Sequence, residues 1–269
     1  MSALAETPDF ETLSIERVDE YVTVVRLNRP DTSNALNTRM GLDLVRYFED
    51  VALDGRGLRC IVLTGSGDKA FCAGGDLKER RGMTDEAWTR QHVIFERMVR
   101  ALIDCPVPII GAVNGAAYGG GCEIAACCDF LYAAESARFA LTEVTLGIMP
   151  GGGGTQTLPR AIGERRAKEL ILTGKPFSAT EAHAWGLVNE IFPSSNLLRE
   201  ALATASRIAR NAPIAVRQAK LAIHRGLQSS LRDGLALEIE AYNRMVPTED
   251  RREGVLAFNE KRPPDFKGR

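Results

Sequence analysis

Glu123 and Glu143 are two carboxylates in stretches otherwise short of charge. Glu123 follows the triplet Gly119-Gly120-Gly121 in YGGGCEIAACC, and Glu143 comes twenty residues later in FALTEVTLGI. A carboxylate among apolar neighbours costs several kcal/mol to bury charged, so it tends to hold its proton near neutral pH unless something compensates. Two such groups side by side suit general acid/base chemistry, one taking a proton as the other gives one. For Glu123 alone a plainer reading stands beside this one, since an acid in a first helical turn also answers the helix dipole.

The glycines add an electrophilic element. Pro108 to Val113 is an apolar, β-favouring run that meets the triplet, and a small-residue helix opens at Cys122 and Glu123. Glycines there leave backbone N–H groups bare at the positive end of a helix, where an oxygen gaining negative charge would be held. A second glycine-backed loop, AFCAGGDLKER, places Gly74-Gly75 just before a helix signal at Asp76. The preceding Gly65-Ser66-Gly67 with Ala70 imitates a dinucleotide fingerprint, but two further glycines fall where the helix should already be running. An ordinary turn is the alternative for this loop.

The elements that must hold these residues can be read from periodicity. Residues 12–28 alternate as two short strands joined at Asp19-Glu20, and the loop NRPDTSNALN leads, with Asn37 or Thr38 as N-cap, into a helix through Asp50. RCIVLTG is wholly apolar, as in a parallel strand covered on both faces. Residues 84–104 read as an amphipathic helix ended by Cys105-Pro106, and PGGGGTQTLPRAIG as a sharp bend before a helix restarts at Glu164. Ser178 caps a further helix, and a short strand ends at Pro193. Helices alone follow, at about 196–210, 213–225, 230–245 and 249–260. The expected organisation is an α/β core over 1–195 and a helical region over 196–269.

A net charge of −1 gives no general attraction for polyanions, which disfavours nucleic acid or an anionic membrane as the main partner. Apolar runs stop well short of the roughly 20 residues that a membrane span needs. The N-terminus, with Glu6, Asp9 and Glu11, does not resemble a signal or transit peptide. Cys60, Cys72, Cys105, Cys122, Cys127 and Cys128 all sit among apolar or small residues, as buried thiols in a reducing cytosol would, so a cytoplasmic location is expected. Cys122, Cys127 and Cys128 match no common zinc spacing, and His92, His183 and His224 are scattered, so no metal site is expected.

Taken together, LNRP at 27–30, NALN at 34–37, IVLTG at 61–65, AFCAGGDLKE at 70–79, AVNGAAYGGGCEIAACCD at 112–129, PGGGGTQ at 150–156 and LTGKPFSATEAHAWGLVNEI at 172–191 form one ordered signature. With DRREGVLAFNEKRPPDF at 250–266, the chain resembles the crotonase (enoyl-CoA hydratase/isomerase) superfamily over essentially its whole length. The resemblance implies a spiral of repeated ββα units with C-terminal helices that complete a trimer contact, in homotrimers or dimers of trimers. It implies an acyl-CoA thioester as substrate and no separate cofactor, coenzyme A being part of the substrate.

Residue by residue, the resemblance puts an oxyanion hole at the amides of Gly75 and Gly120, and places the segment Ala73, Gly74, Gly75, Asp76 and Leu77 around the coenzyme. It sets Phe258 and Lys261 where relatives reach a coenzyme A, often a neighbouring subunit's. Glu123 would orient and deprotonate a water, and Glu143 would deliver a proton to the α-carbon. Gly75 departs from the alanine frequent in the best-known hydratases but keeps the amide. Enoyl-CoA hydration is the leading expectation, with isomerisation or another crotonase reaction as runner-up. DLKER at 76–80 and PGGGGTQTLPRAIG at 150–163 are similar to a branch with an RNA-binding hydratase, a minor alternative; Lys78, Arg80 and Arg81 read more simply as a solvated helix face or neighbours of the coenzyme phosphates. Residues 80–100, with Met83, Trp88 and Phe95, are expected to wall the acyl pocket, although Trp88 and Phe95 would serve equally as plain core.

Overall fold

The structure is a computed structural model and describes residues 9–269; Glu6 and the rest of the first eight residues lie outside the described part. Strands β1 (Leu13–Arg17) and β2 (Val22–Leu27) form the antiparallel hairpin expected. Its turn is fixed by Asp19, whose Oδ1 accepts the amides of Tyr21 and Val22 at 2.7 and 2.8 Å. Asn37 caps α1 (Thr38–Asp54) by accepting the Met40 amide.

From there the chain repeats one device, a strand in a large sheet followed by a short strand in a small one, with helix or turn after it. β3 (Cys60–Gly65) and β4 (Ala70–Cys72) precede α2 (Leu77–Arg80) and α3 (Asp85–Ile103). β5 (Ile109–Val113) and β6 (Ala116–Tyr118) precede α4 (Gly120–Ala126). β7 (Phe130–Ala134) and β8 (Arg138–Ala140) precede a 3-10 turn at Glu143–Leu146 and α5 (Gly154–Ile162). Then come α6 (Glu164–Thr173), β9 (Phe177–Ser178), α7 (Ala179–Trp185), β10 (Glu190–Phe192) and the helices α8 (Ser194–Ala209), α9 (Pro213–Gly226), α10 (Leu231–Asn243) and α11 (Glu249–Glu260).

The large sheet runs β1-β2-β3-β5-β7-β10 and the small one β4-β6-β8-β9. Parallel pairing from β2 to β10 explains why β3 and β5 are buried along their whole length, as their apolar sequences require. In the small sheet β4, β6 and β8 are parallel neighbours, with Tyr118 opposite Ala140. Their carboxyl ends therefore lie side by side, and the segments that leave them are gathered at one place. Those segments carry Gly74-Gly75 after β4, Gly119 to Glu123 after β6, and Glu143 after β8.

Two readings from sequence need correction. The strand that feeds the glycine triplet is β6, since the chain turns at Asn114-Gly115 between β5 and β6. A three-residue strand is too short to declare itself by period. The stretch PGGGGTQTLPRAIG is not only a bend, because α5 starts inside it at Gly154, although no side chain caps it.

The loop after β2 clamps the first glycine turn. Buried Asn34, in left-handed conformation at φ 54°, accepts the Arg29 amide and donates to the carbonyls of Ser66 and Ala70, all at 2.9 Å. Leu36 then donates its amide to the Gly74 carbonyl at 2.8 Å and accepts the Asp76 amide at 2.9 Å. At the other end of the chain α8 packs on the large sheet. Lys220 of α9 reaches the Asp129 carboxylate at 2.7 Å, and Arg59 holds the carbonyls of Ala209 and Phe266 at 2.9 and 2.7 Å.

The tightest backbone approach in this region is at Gly121, where a Cβ would stand 2.0 Å from the Cys72 carbonyl oxygen. Gly121→Ala must therefore part β4 from α4, and overpacking of this kind typically costs about 1–3 kcal/mol. The expected result is a lower urea midpoint in equilibrium unfolding; an unchanged midpoint would contradict this packing.

Candidate active site

Gly74 and Gly119 bring the two glycine turns into contact. Both have positive φ, 94° and 50°, and a Cβ on Gly74 would lie 2.7 Å from the Tyr118 carbonyl oxygen. Each glycine is followed by the residue whose amide is wanted. Leu36 bonds to the residues on either side of Gly75, so the Gly75 N–H faces away from Leu36. Gly120 opens α4, where a first-turn N–H has no acceptor within the helix. The position of a Cβ on Gly120 would be 3.9 Å from the Gly75 nitrogen, so the two amides are neighbours. Two bare N–H donors on one small volume form an oxyanion-binding pair.

Glu123, only 5% exposed, is anchored from the opposite side. Its Oε1 accepts the amides of Gly152 and Gly154, both at 2.8 Å. These amides stand at the start of α5, so the glycine run fixes a carboxylate by backbone donors alone. Burial pushes the Glu123 carboxyl up to about 7; the Gly154 and Gly152 hydrogen bonds and the Arg80 charge oppose the rise, while the Glu143 charge adds to it.

Glu143 opens the 3-10 turn after β8 and is 9% exposed. Its Oε1 would be 3.1 Å from a Cβ on Gly119, which puts the carboxyl against the oxyanion turn. Its Oε2 is buried with no hydrogen-bond partner among the described residues. Burial raises its pKa, opposed by its own amide and by the Arg80 charge. The two acids differ in a way that matters: one has an oxygen pinned by two amides, the other has a buried oxygen with no hydrogen-bond partner among the described residues.

One cleft is lined by both glutamates, by Gly75 and Gly120, and by Ala73, Gly74 and Leu77 from the same loop. Such a cleft can hold a carbonyl oxygen between two amides while two carboxyl groups exchange protons with carbons or water nearby. Residues 17–269 match the family model described as enoyl-CoA hydratase/isomerase. The chain belongs to that family. It is 43% identical over 250 residues to the 2,3-dehydroadipyl-CoA hydratase of Escherichia coli, covering 93% of this chain and 96% of that protein. The short-chain-enoyl-CoA hydratase of Clostridium acetobutylicum is 41% identical over 249 residues, with 92% and 95% covered. The crystal structure of an enoyl-CoA hydratase from Bacillus anthracis superposes with a TM-score of 0.94 at 44% identity, covering 96% of this chain and all of that one. The α/β crotonase-type architecture expected from the sequence is thus the architecture of this hydratase/isomerase family member.

Asp76 does not face the cleft with its side chain. It caps α2 by accepting the amides of Lys78 and Glu79 and pairs with Arg29 at 2.9 Å, which holds its carboxyl below the usual range despite burial. Phe258 and Lys261, both exposed near the end of α11, do not line the cleft of their own chain. Phe95 does line it, together with Met98, whereas Trp88 and Met83 do not.

The reading of Arg80 as part of a solvated face is overturned. Lys78 and Arg81 are exposed, but Arg80 turns inward and lines the cleft, its guanidinium 4.5 Å from the Trp88 ring centre. His92 lines it too, and burial together with the Arg80 charge lowers its pKa. The missed signal was the spacing Trp88, Gln91-His92, Phe95, which is one face of α3. The cysteines stand behind the turns: Cys72 and Cys122 are buried, burial pushing the first thiol up to about 11 and the second higher still.

The raised pKa of Glu123 has a consequence for stability. With Glu123 at about 7 in the folded chain against 4.5 ordinarily, the folded state keeps a proton that the unfolded state loses over that window. Stability therefore falls as pH rises from about 4.5 to 7, by about 3 kcal/mol for this group, and the deficit is constant above. Glu123→Gln keeps an oxygen for the two amides and removes the charge. Thermal denaturation is expected to give the variant a higher Tm than wild type at about pH 8.5 and a much smaller gain at about pH 5. A gain independent of pH would contradict the burial argument.

Proposed function

We propose that this chain adds water reversibly across the C2=C3 bond of a 2-enoyl-CoA thioester. The observation that carries the proposal is the meeting, in one cleft, of two buried carboxyl groups with raised pKa and two unengaged glycine amides. The names of the relatives support the same reaction class.

In this reading the thioester oxygen lies between the N–H groups of Gly75 and Gly120, each such donor being worth about 2.7–4 kcal/mol to the enolate-like transition state. Glu123, with one oxygen held by Gly152 and Gly154, orients a water with the other and takes its proton as the new C–O bond forms at C3. Glu143 gives its proton to C2 as the enolate collapses, and the reverse sequence expels water. The Glu143 charge adds to the rise at Glu123, so proton loss from one carboxyl bears on the other.

The chain is further proposed to act as a homotrimer or dimer of trimers in the cytoplasm, with nucleic acid no partner and coenzyme A present only as part of the substrate. Exposed apolar side chains on α9 and α10, among them Ile223, Leu231 and Leu235, with Leu227 just past the end of α9, support a subunit contact there. In this reading Phe258 and Lys261 serve the coenzyme of a neighbouring subunit; their absence from the lining of their own cleft supports it.

Purified protein should consume the enoyl-thioester absorbance of crotonyl-CoA or a longer or branched enoyl-CoA. Glu143→Gln and Glu123→Gln should each lower kcat by about 10²–10⁴-fold, the range for losing a general acid or base. If a panel of enoyl-CoAs is left untouched while an acyl-CoA is isomerised or cleaved, the hydratase reading gives way to another reaction of the family.

A further inference from the structure

Water addition as described makes no direct use of Arg80, yet this side chain is built into the cleft with care. Its Nε donates to the Gln91 side-chain oxygen at 2.9 Å, and its guanidinium lies 4.5 Å from the Trp88 ring centre and 5.7 Å from that of Phe95. Gln91 is itself held, its amide donating to Thr38 Oγ1 and to Glu79 Oε2, each at 2.8 Å. The stem and inner nitrogen of Arg80 are thus fixed. The two terminal nitrogens make no hydrogen bond or ion pair among the described residues.

That open fork lies beside the oxyanion pair, since a Cβ on Gly75 would be 3.1 Å from Nη1. One position beyond Gln91 on α3, His92 also lines the cleft, and its ring has no hydrogen bond among the described residues. An acyl chain of methylenes and a methyl would cover two guanidinium nitrogens that have no hydrogen-bond partner, which is unfavourable. A carboxylate would instead meet the fork with two parallel charge-assisted hydrogen bonds. Burial raises the pKa of both glutamates, so the pair does not set two full negative charges against an incoming carboxylate.

We propose that the acyl group accepted by this cleft ends in a carboxylate, gripped by the Arg80 guanidinium with the His92 ring beside it. The substrate class is then the 2-enoyl-CoA thioesters of dicarboxylic acids. This inference rests on the hydratase reading and narrows it.

The test uses matched enoyl-CoA pairs of five, six and seven carbons, one member ending in a carboxylate and the other in a methyl group. Wild type is expected to favour the carboxylate member of at least one pair by about tenfold or more in kcat/KM. Arg80→Gln should abolish that preference, mainly through KM, and Arg80→Lys should restore part of it by returning the charge without the fork. Calorimetric binding of the saturated acyl-CoA pairs should repeat the preference with no turnover involved. Equal or better use of the methyl-ended member in every pair would overturn the proposal. So would an Arg80→Gln variant that lowers both members by the same factor while moving the pH–rate profile, since Arg80 would then act on the glutamates. If no enoyl-CoA is hydrated but dicarboxylic acyl-CoAs bind in an Arg80-dependent way, the carboxylate site stands and the hydratase reading falls.

Discussion

Two backbone turns touch in this protein with no side chain between them, and the cleft depends on that contact. Parallel pairing of β4 with β6 delivers the turns to the same edge, but pairing alone would leave them a side chain apart. Gly121 against the Cys72 carbonyl and Gly74 against the Tyr118 carbonyl close the remaining gap. The adjacency of the Gly75 and Gly120 amides is a by-product of that packing. Stability and binding are joined here, because any residue large enough to wedge the turns apart would also separate the donors.

Placing two acids behind this contact works against folding, and the surrounding structure offsets it unequally. Glu123 receives the amide of Gly154, the first residue of α5, and that of Gly152 just before it, at a helix start whose N-cap residue offers no side chain. The carboxylate and the helix start satisfy each other, each supplying what the other lacks. Glu143 is left with a buried oxygen that has no protein partner among the described residues. Such an unmet need is expensive in a resting core and useful in a site, since a bare oxygen is free to hand its proton to something that enters.

Much of the site could be read from the sequence because its parts are locally conspicuous. Acids set in FALTEVTLGI and GGGCEIAA stand out against their neighbours, and doubled glycines before Asp76 and Cys122 announce bare backbone. The ordered motif blocks then supplied the architecture and the pairing of Gly75 with Gly120, which no local pattern could. The three-residue strands β4, β6 and β8 are too brief to show alternation, so the small sheet was not legible from periodicity. Nor was the grip of Gly152 and Gly154 on Glu123, a contact between residues about thirty apart that depends on where α5 comes to rest. The inward turn of Arg80 is hidden for a related reason: DLKER looks like a solvated turn, and only the aromatic face of α3 shows where the guanidinium goes.

The cysteines behind the glycine turns acquire meaning from the proposed chemistry. A conjugated thioester is a Michael acceptor, and a thiolate attacks its β-carbon as the water does, leaving an alkylated protein. Cys72 and Cys122 are sealed from solvent and hold their protons far above neutral pH, and burial likewise raises the thiols of Cys60, Cys105, Cys127 and Cys128. A protonated thiol is a poor nucleophile. The chain can therefore carry six sulfhydryls, two of them beside the glycine turns, while offering the electrophile no ready thiolate.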